Sequence, residues 1–149
     1  MEIGNLATQK QSNEGKWFLA VLYGKKQPFA INILGSDSDS VKLYEREQFK
    51  KLQKERKGND DVSDEVLDEL LDSSDDAIVV RMNGLCSAKI GKGDDFELLE
   101  EEPLTMNGQK LGNDEKSYRA LIEAIPEVKK FVREKSNERI NFLSNGKKN

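Results

Sequence analysis

The sequence predicts an α+β fold, an N-terminal β-hairpin followed by a mainly α-helical domain, and three observations carry that expectation. Two runs rich in aromatic and branched residues, 16–23 and 29–34, flank a segment of turn chemistry, Gly24-Lys25-Lys26-Gln27-Pro28. Gly35 closes the second run, and four cap-forming residues, Asp37, Ser38, Asp39 and Ser40, follow it. Beyond this corner, apolar residues recur at helical spacing almost to the end of the chain.

Taken in order, residues 1–15 are polar, with Ile3 and Leu6 the only large aliphatics, and are expected to form a flexible arm. In 16–23, Trp17, Leu19, Val21 and Tyr23 share one face and Phe18, Ala20 and Leu22 the other; in 29–34, Phe29, Ile31 and Ile33 oppose Ala30, Asn32 and Leu34. A lone hairpin is marginal in water, so helices or another subunit must cover one face. Gly35, Asp37 and Ser38 form the structural corner. Gly35 is read as supplying backbone freedom, and any of the four residues 37–40 can cap the helix that follows.

Residues 41–57 read as a helix with a thin apolar stripe of Val41, Tyr44, Phe49 and Leu52. Its second half carries Lys50, Lys51, Lys54, Arg56 and Lys57, a set able to contact phosphates. Glu45, Glu47 and Glu55 interrupt the patch and no aromatic platform accompanies it, which favours a solvated face. Gly58-Asn59 marks a stop.

A second, acidic helix is expected over 62–83 on Val62, Val66, Leu67, Leu70, Leu71, Ile78 and Met82, with a short strand at 77–82 as the alternative. Its carboxylates, Asp60, Asp61, Asp64, Asp68 and Asp72, lack the glycine and terminal glutamate of a calcium loop. Residues 89–104 read as an exposed acidic insertion pinned by Phe96, Leu98 and Leu99. Gly91-Lys92-Gly93 lacks the serine or threonine of a phosphate loop. Asn113-Asp114 opens a helix with Tyr118, Leu121, Ile122 and Ile125 on one face; Pro126 starts another carrying Val128, Phe131, Val132 and Ile140.

The organisation expected is thus an arm at 1–15, one α+β domain at 16–143 (hairpin 16–35, helical 36–143) and a flexible tail at 144–149. Leu34, Val41, Tyr44, Leu67, Leu71, Ile78, Tyr118, Leu121, Ile125, Phe131 and Val132 should be mostly buried. Phe131, Ile140, Phe142 and Leu143 are the candidate partner-binding residues.

With 149 residues, 35% of them charged, and a net charge of −4, the chain has apolar material for one modest core. It has no histidine and a single cysteine, Cys86, which removes the commonest general base, the commonest zinc ligand and any internal disulfide. No catalytic residue, cofactor or metal is therefore expected. No apolar run reaches the length of a membrane span, and Met1-Glu2-Ile3-Gly4-Asn5 lacks a signal-peptide pattern, so a reducing cytoplasm is expected.

The order of these features resembles the tail assembly chaperones of long-tailed bacteriophages. The resemblance covers roughly 17–143. It rests on the β unit, the corner Gly35-Ser36-Asp37-Ser38, the basic helix, and an acidic helix ending near Gly84-Leu85. It continues through Tyr118-Arg119-Ala120-Leu121-Ile122 and Pro126-Glu127-Val128-Lys129-Lys130-Phe131-Val132 to Asn141-Phe142-Leu143. It implies a non-enzymatic factor, acting in the host cytoplasm, that binds the tape measure protein and helps recruit tail tube subunits, with self-association between copies. It also implies a frameshifted longer product, and Gly146-Lys147-Lys148 can be encoded by a G-then-A run of the kind that slips. The competing classes are a structural virion part, of the tail or the head–tail connector, and a nucleic-acid-binding regulator acting through 50–57.

Overall fold

Helix α1 (Gln9–Glu14) leads through Gly15 into strands β1 (Lys16–Leu22) and β2 (Lys25–Ile33), and helix α2 (Asp39–Arg56) follows. A short helix α3 (Asp75–Arg81) runs directly into β3 (Met82–Ile90), succeeded by β4 (Phe96–Leu98), β5 (Leu104–Met106) and β6 (Gln109–Leu111). Helices α4 (Glu115–Ala124) and α5 (Glu127–Asn137) and a 3-10 turn (Arg139–Phe142) complete the order. The computed structural model describes residues 9–56, 67 and 70–143. The protein is α+β with the hairpin first, and β1–β4 form one antiparallel sheet in the order β1-β2-β3-β4.

Alternation along the hairpin sorts its side chains as the sequence implies. Ala20, Leu22, Phe29, Ile31 and Ile33 pack with Ile78, Leu85, Tyr118, Leu121, Ile122, Val128, Phe131 and Val132 in the main core. Helices α3, α4 and α5 thus cover this face of the sheet, supplying what a two-stranded ribbon lacks. The opposite face carries a smaller cluster of Leu19, Ala30 and Ala88, flanked by Trp17, Phe96 and Leu98. Of the residues expected inside, Leu34, Val41, Ile78, Tyr118, Leu121, Phe131 and Val132 are buried, and Tyr44, Leu67, Leu71 and Ile125 are half-buried. Phe49, expected on the stripe of α2, is 43% exposed.

Four expectations are corrected. The hairpin turns at Tyr23-Gly24, whose φ values of 54° and 78° are the left-handed pair of a tight two-residue turn, so β2 begins at Lys25. Pro28 then falls inside the strand, at the register shift between the Leu19–Ala30 and Val21–Lys26 pairs, where its missing N–H disrupts no pairing. Secondly, part of the expected arm, 9–14, is helix: α1 docks at the corner and Ser12 is fully buried, while residues 1–8 lie outside the described residues.

The third correction concerns 36–143, expected to be helical. Helix α3 covers 75–81, but Met82 onward is strand, and residues 62–66, 68 and 69 of the expected acidic helix lie outside the described residues. The β2–β3 register explains the misreading. Ile33 pairs with Met82 and Asn32 with Gly84, so Asn83 is an extra, bulged residue. The bulge lets Met82 and Leu85, three apart, both reach the core from a strand, which imitates helical periodicity. Finally, 89–104 is no insertion. Its first part completes β3, its middle is the turn Gly91–Asp95 closed by the Gly91 N–H on the Asp95 carbonyl (2.9 Å), and β4 pairs back onto Ala88, Lys89 and Ile90. Phe96 and Leu98 do pin it, by packing on Leu19, Ala30 and Ala88.

Candidate functional site

The corner is where four elements meet. Ser38 is the residue that caps α2: its Oγ accepts from the Val41 N–H at 3.3 Å, and its N–H donates to the Gly35 carbonyl at 3.0 Å. Asp37 and Asp39 look the other way. Asp37 Oδ1 accepts from the Ser12 hydroxyl, and Asp39 takes Gln9 Nε2 at 2.6 Å and Asn13 Nδ2 at 3.2 Å. Both therefore bind α1 to the start of α2, and Asp37 also meets Arg139 of the 3-10 turn at 3.4 Å. From α5, the buried Ser136 donates its hydroxyl to the Leu34 carbonyl (2.8 Å) and accepts the Ser36 N–H (3.0 Å). Gly35 serves by its size. A Cβ there would stand 2.1 Å from Ser12 Oγ and 2.5 Å from its Cβ, so close approach of α1 requires glycine, not an unusual φ. The corner is a structural latch.

Among the described residues, two concave surfaces have aromatic side chains in their walls. The first is a shallow groove of about 420 Å³ between α2, α3 and α4. Tyr44, Val79, Val80 and Tyr118 line it, and its rim carries Asp76, Glu115 and Arg119. Arg119 bridges both acids, at 2.6 Å to Asp76 and 2.8 Å to Glu115. These exposed ion pairs contribute little to stability and leave the rim charges free to exchange partners. Ser74 caps α3 through the Ala77 N–H at 3.2 Å, and Tyr44 donates to the Leu70 carbonyl at 3.1 Å, fixing the floor.

The second is a cleft of about 560 Å³ along the outer edge of β1, between α5 and the β3–β4 turn. Its walls include Trp17, Leu19 and Phe96 on one side and Phe18 and Phe131 on the other, with Lys16, Lys26, Asp94, Glu134 and Lys135 around the mouth. Gly84, on β3, leaves room for Trp17: a Cβ there would lie 3.0 Å from the indole.

Of the candidate partner-binding residues Phe131, Ile140, Phe142 and Leu143, Phe131 lines this cleft and the other three do not. Phe142 is 1% exposed and stacks edge-on against Phe18, with ring centroids 6.4 Å apart. Phe131 is 7% exposed and built into the main core, lining the cleft with the little surface that remains, whereas Phe142 is framework. Leu143 is half-buried, whereas Ile140 is 73% exposed and does offer apolar surface. Tyr23, in the hairpin turn, is nearly as exposed and was not singled out by its sequence pattern. On α2, Lys50, Lys51 and Lys54 are solvated; the side chains of Arg56 and Lys57 lie outside the described residues.

Electrostatically, one buried charge stands out. The Arg81 side chain is 1% exposed; Nη1 donates to the Ala77 carbonyl at 2.7 Å, Nη2 lies 3.6 Å from Glu45, and Nε has no hydrogen-bond partner among the described residues. Burial pushes the Arg81 pKa down, opposed by Glu45 and Asp72; burial likewise raises that of Glu45, opposed by Arg81. The pair braces α2 against the end of α3 and faces no cavity described above. Burial, and then Glu100, raise the Cys86 thiol, which disfavours the nucleophilic thiolate. Among the described residues no group of three or more potential metal ligands converges, and no helix is long and apolar enough to cross a membrane. Comparison with protein-family models, with curated proteins and with solved structures finds no match to this chain.

Proposed function

We propose that the protein is a non-enzymatic tail assembly chaperone that works in the cytoplasm of an infected host. In this reading it binds apolar helical stretches of a phage tape measure protein, keeps them from aggregating, and helps recruit tail tube subunits. One observation carries the reading beyond the order of sequence features. The groove between α2, α3 and α4 has an apolar floor of Val79, Val80, Tyr44 and Tyr118 inside a charged rim, the arrangement that accepts the apolar face of an amphipathic helix. Such contacts are reversible when the rim is wet and charged, as a transient assembly partner requires.

Co-expression with the tape measure protein of the same genome tests it. The protein should keep that partner soluble, and Val80→Asp, which charges the half-buried groove floor, should abolish the effect while circular dichroism shows a folded chain. A tape measure protein that stays soluble alone, or a Val80→Asp variant that still protects it, would sink the reading. Recovery of the protein in stoichiometric amount from purified phage would transfer it to the virion parts.

A further inference from the structure

The edge of β1 supports a second, separate inference, independent of the helical groove. We infer that the cleft beside β1 takes up an extended peptide segment, apolar on both faces and carrying a carboxylate at its C-terminal end, as a fifth, antiparallel strand of the sheet. Among the described residues strand β1 pairs with β2 alone, so about half of its backbone N–H and C=O groups point away from that partner along seven residues. No proline interrupts it, and its one charged residue, Lys16, stands at its start, so nothing on the strand itself blocks pairing.

The walls decide what kind of chain fits. Successive side chains of an added strand point to opposite faces of the sheet. Here one face offers Trp17, Leu19 and Phe96, and the other offers Phe18 and Phe131. An added strand therefore meets apolar surface on both sides, where a half-polar edge strand would leave its polar residues unsolvated. Both α5 and the β3–β4 turn stand beside the cleft, which favours a single extended segment over a second folded copy with its own walls. Lys26 donates to the Gly93 carbonyl and holds that turn in place over the hairpin.

Charge sets the direction. At the start of β1, the ammonium groups of Lys16 and Lys135 lie 5.7 and 5.6 Å from the centre of the Phe18 ring. Glu134 is the one acid lining that end, whereas Asp94 lines the far end, where Lys26 is committed to Gly93. An incoming carboxylate is thus favoured beside Lys16 and Lys135. In an antiparallel pairing the C-terminal end of the added strand arrives at this point, so orientation and charge agree.

The test uses the full-length protein and a fluorescein-labelled seven-residue peptide of alternating valine and leucine ending in glutamate, followed by anisotropy. Saturable binding is expected. Methylating the peptide nitrogens along one edge should weaken it about tenfold or more, because each lost backbone bond costs roughly 1 kcal/mol. Methylating the other edge should leave it nearly unchanged. Lys16→Glu, a change on an exposed side chain, should weaken the glutamate peptide and favour one ending in lysine. Equal sensitivity of both edges, or no change in end-charge preference with Lys16→Glu, would show apolar adhesion and overturn the inference. So would absence of binding at millimolar peptide, or a protein dimer in sedimentation that must dissociate before peptide enters.

Discussion

Replacing Gly35 by alanine is the sharpest probe of how the corner is built. The new Cβ would lie 2.1 Å from Ser12 Oγ, 2.5 Å from Ser12 Cβ and 3.1 Å from Ser12 Cα. Rotating the hydroxyl away relieves only the first of these, since the other two atoms belong to the Cβ and the backbone. The least costly escape is for α1 to lift off, which caps the penalty at the free energy of docking that helix. Two bonds around Ser12 are lost, its carbonyl to the Gly35 N–H (3.1 Å) and its hydroxyl to Asp37. At about 1 kcal/mol each, and with the exposed Gln9 and Asn13 contacts adding little, the loss is about 2–3 kcal/mol. Urea denaturation should show it as a lowered midpoint with an unchanged slope. Hydrogen exchange should report faster exchange at 9–14 while β2 and β3 stay protected. In a Ser12→Gly background the same substitution meets only Cα at 3.1 Å, so Gly35→Ala should then cost under about 1 kcal/mol, a coupling visible in a double-mutant cycle. If Gly35→Ala leaves the midpoint unmoved and α1 protected, the close-approach explanation of this glycine is wrong.

Other outcomes follow from the same structure. Ser136→Ala strands the Leu34 carbonyl in the interior and should lower stability by about 1–3 kcal/mol in a urea titration. Leu121→Asp places a carboxylate in the main core, at a site 3% exposed, and should unfold the protein, while Lys54→Glu on the solvated side of α2 should stay within about 0.5 kcal/mol of wild type; circular dichroism melts distinguish them. Asp114 caps α4 by accepting the Ser117 N–H at 2.8 Å, and that bond holds its pKa below the usual carboxylate value. Its stabilisation is present above the unfolded value and lost as pH falls through the folded one; Asp114→Asn should keep the cap and flatten this acid limb. Glu45 runs the opposite way. Its pKa is raised in the folded chain, so its contribution is most favourable at low pH and declines as pH climbs through the carboxylate range toward the folded value. Stability–pH curves of Glu45→Gln should lack that decline.

How much of this the residues announce can be argued from a few of them. Period-two alternation is a direct consequence of strand geometry, so Ala20 with Leu22, and Ile31 with Ile33, were each assignable to one face of their own strand before any coordinates; that the two faces coincide comes from the register. Caps are local as well, and Asp114 and Pro126 sit where helix chemistry places them. What escaped depends on distant neighbours. Ser12 is buried because Gly35 and Asp37 lie beside it, and nothing in its own neighbourhood of sequence says so. The strand character of 82–90 was hidden by one bulged residue, Asn83. Asn107-Gly108, with φ values of 52° and 80°, is the turn of the β5–β6 hairpin and a strong sequence marker for one. For the candidate site, Ile140 was identifiable as apolar near the end of the chain, but the cleft needs β1, α5 and the β3–β4 turn together, a juxtaposition that only the tertiary fold creates.

The bond from Ser136 to Leu34 spans 102 residues, and it has a consequence for biosynthesis. A ribosome adding roughly 5–20 residues per second needs on the order of ten seconds to travel that distance. Throughout that interval the nascent hairpin is complete but its inner face and its final carbonyl wait for helices not yet made. Whatever guards that apolar ribbon on the emerging chain must do so from outside the molecule. Closure of the bond between Ser136 and Leu34 is then the event that completes the cover of the hairpin.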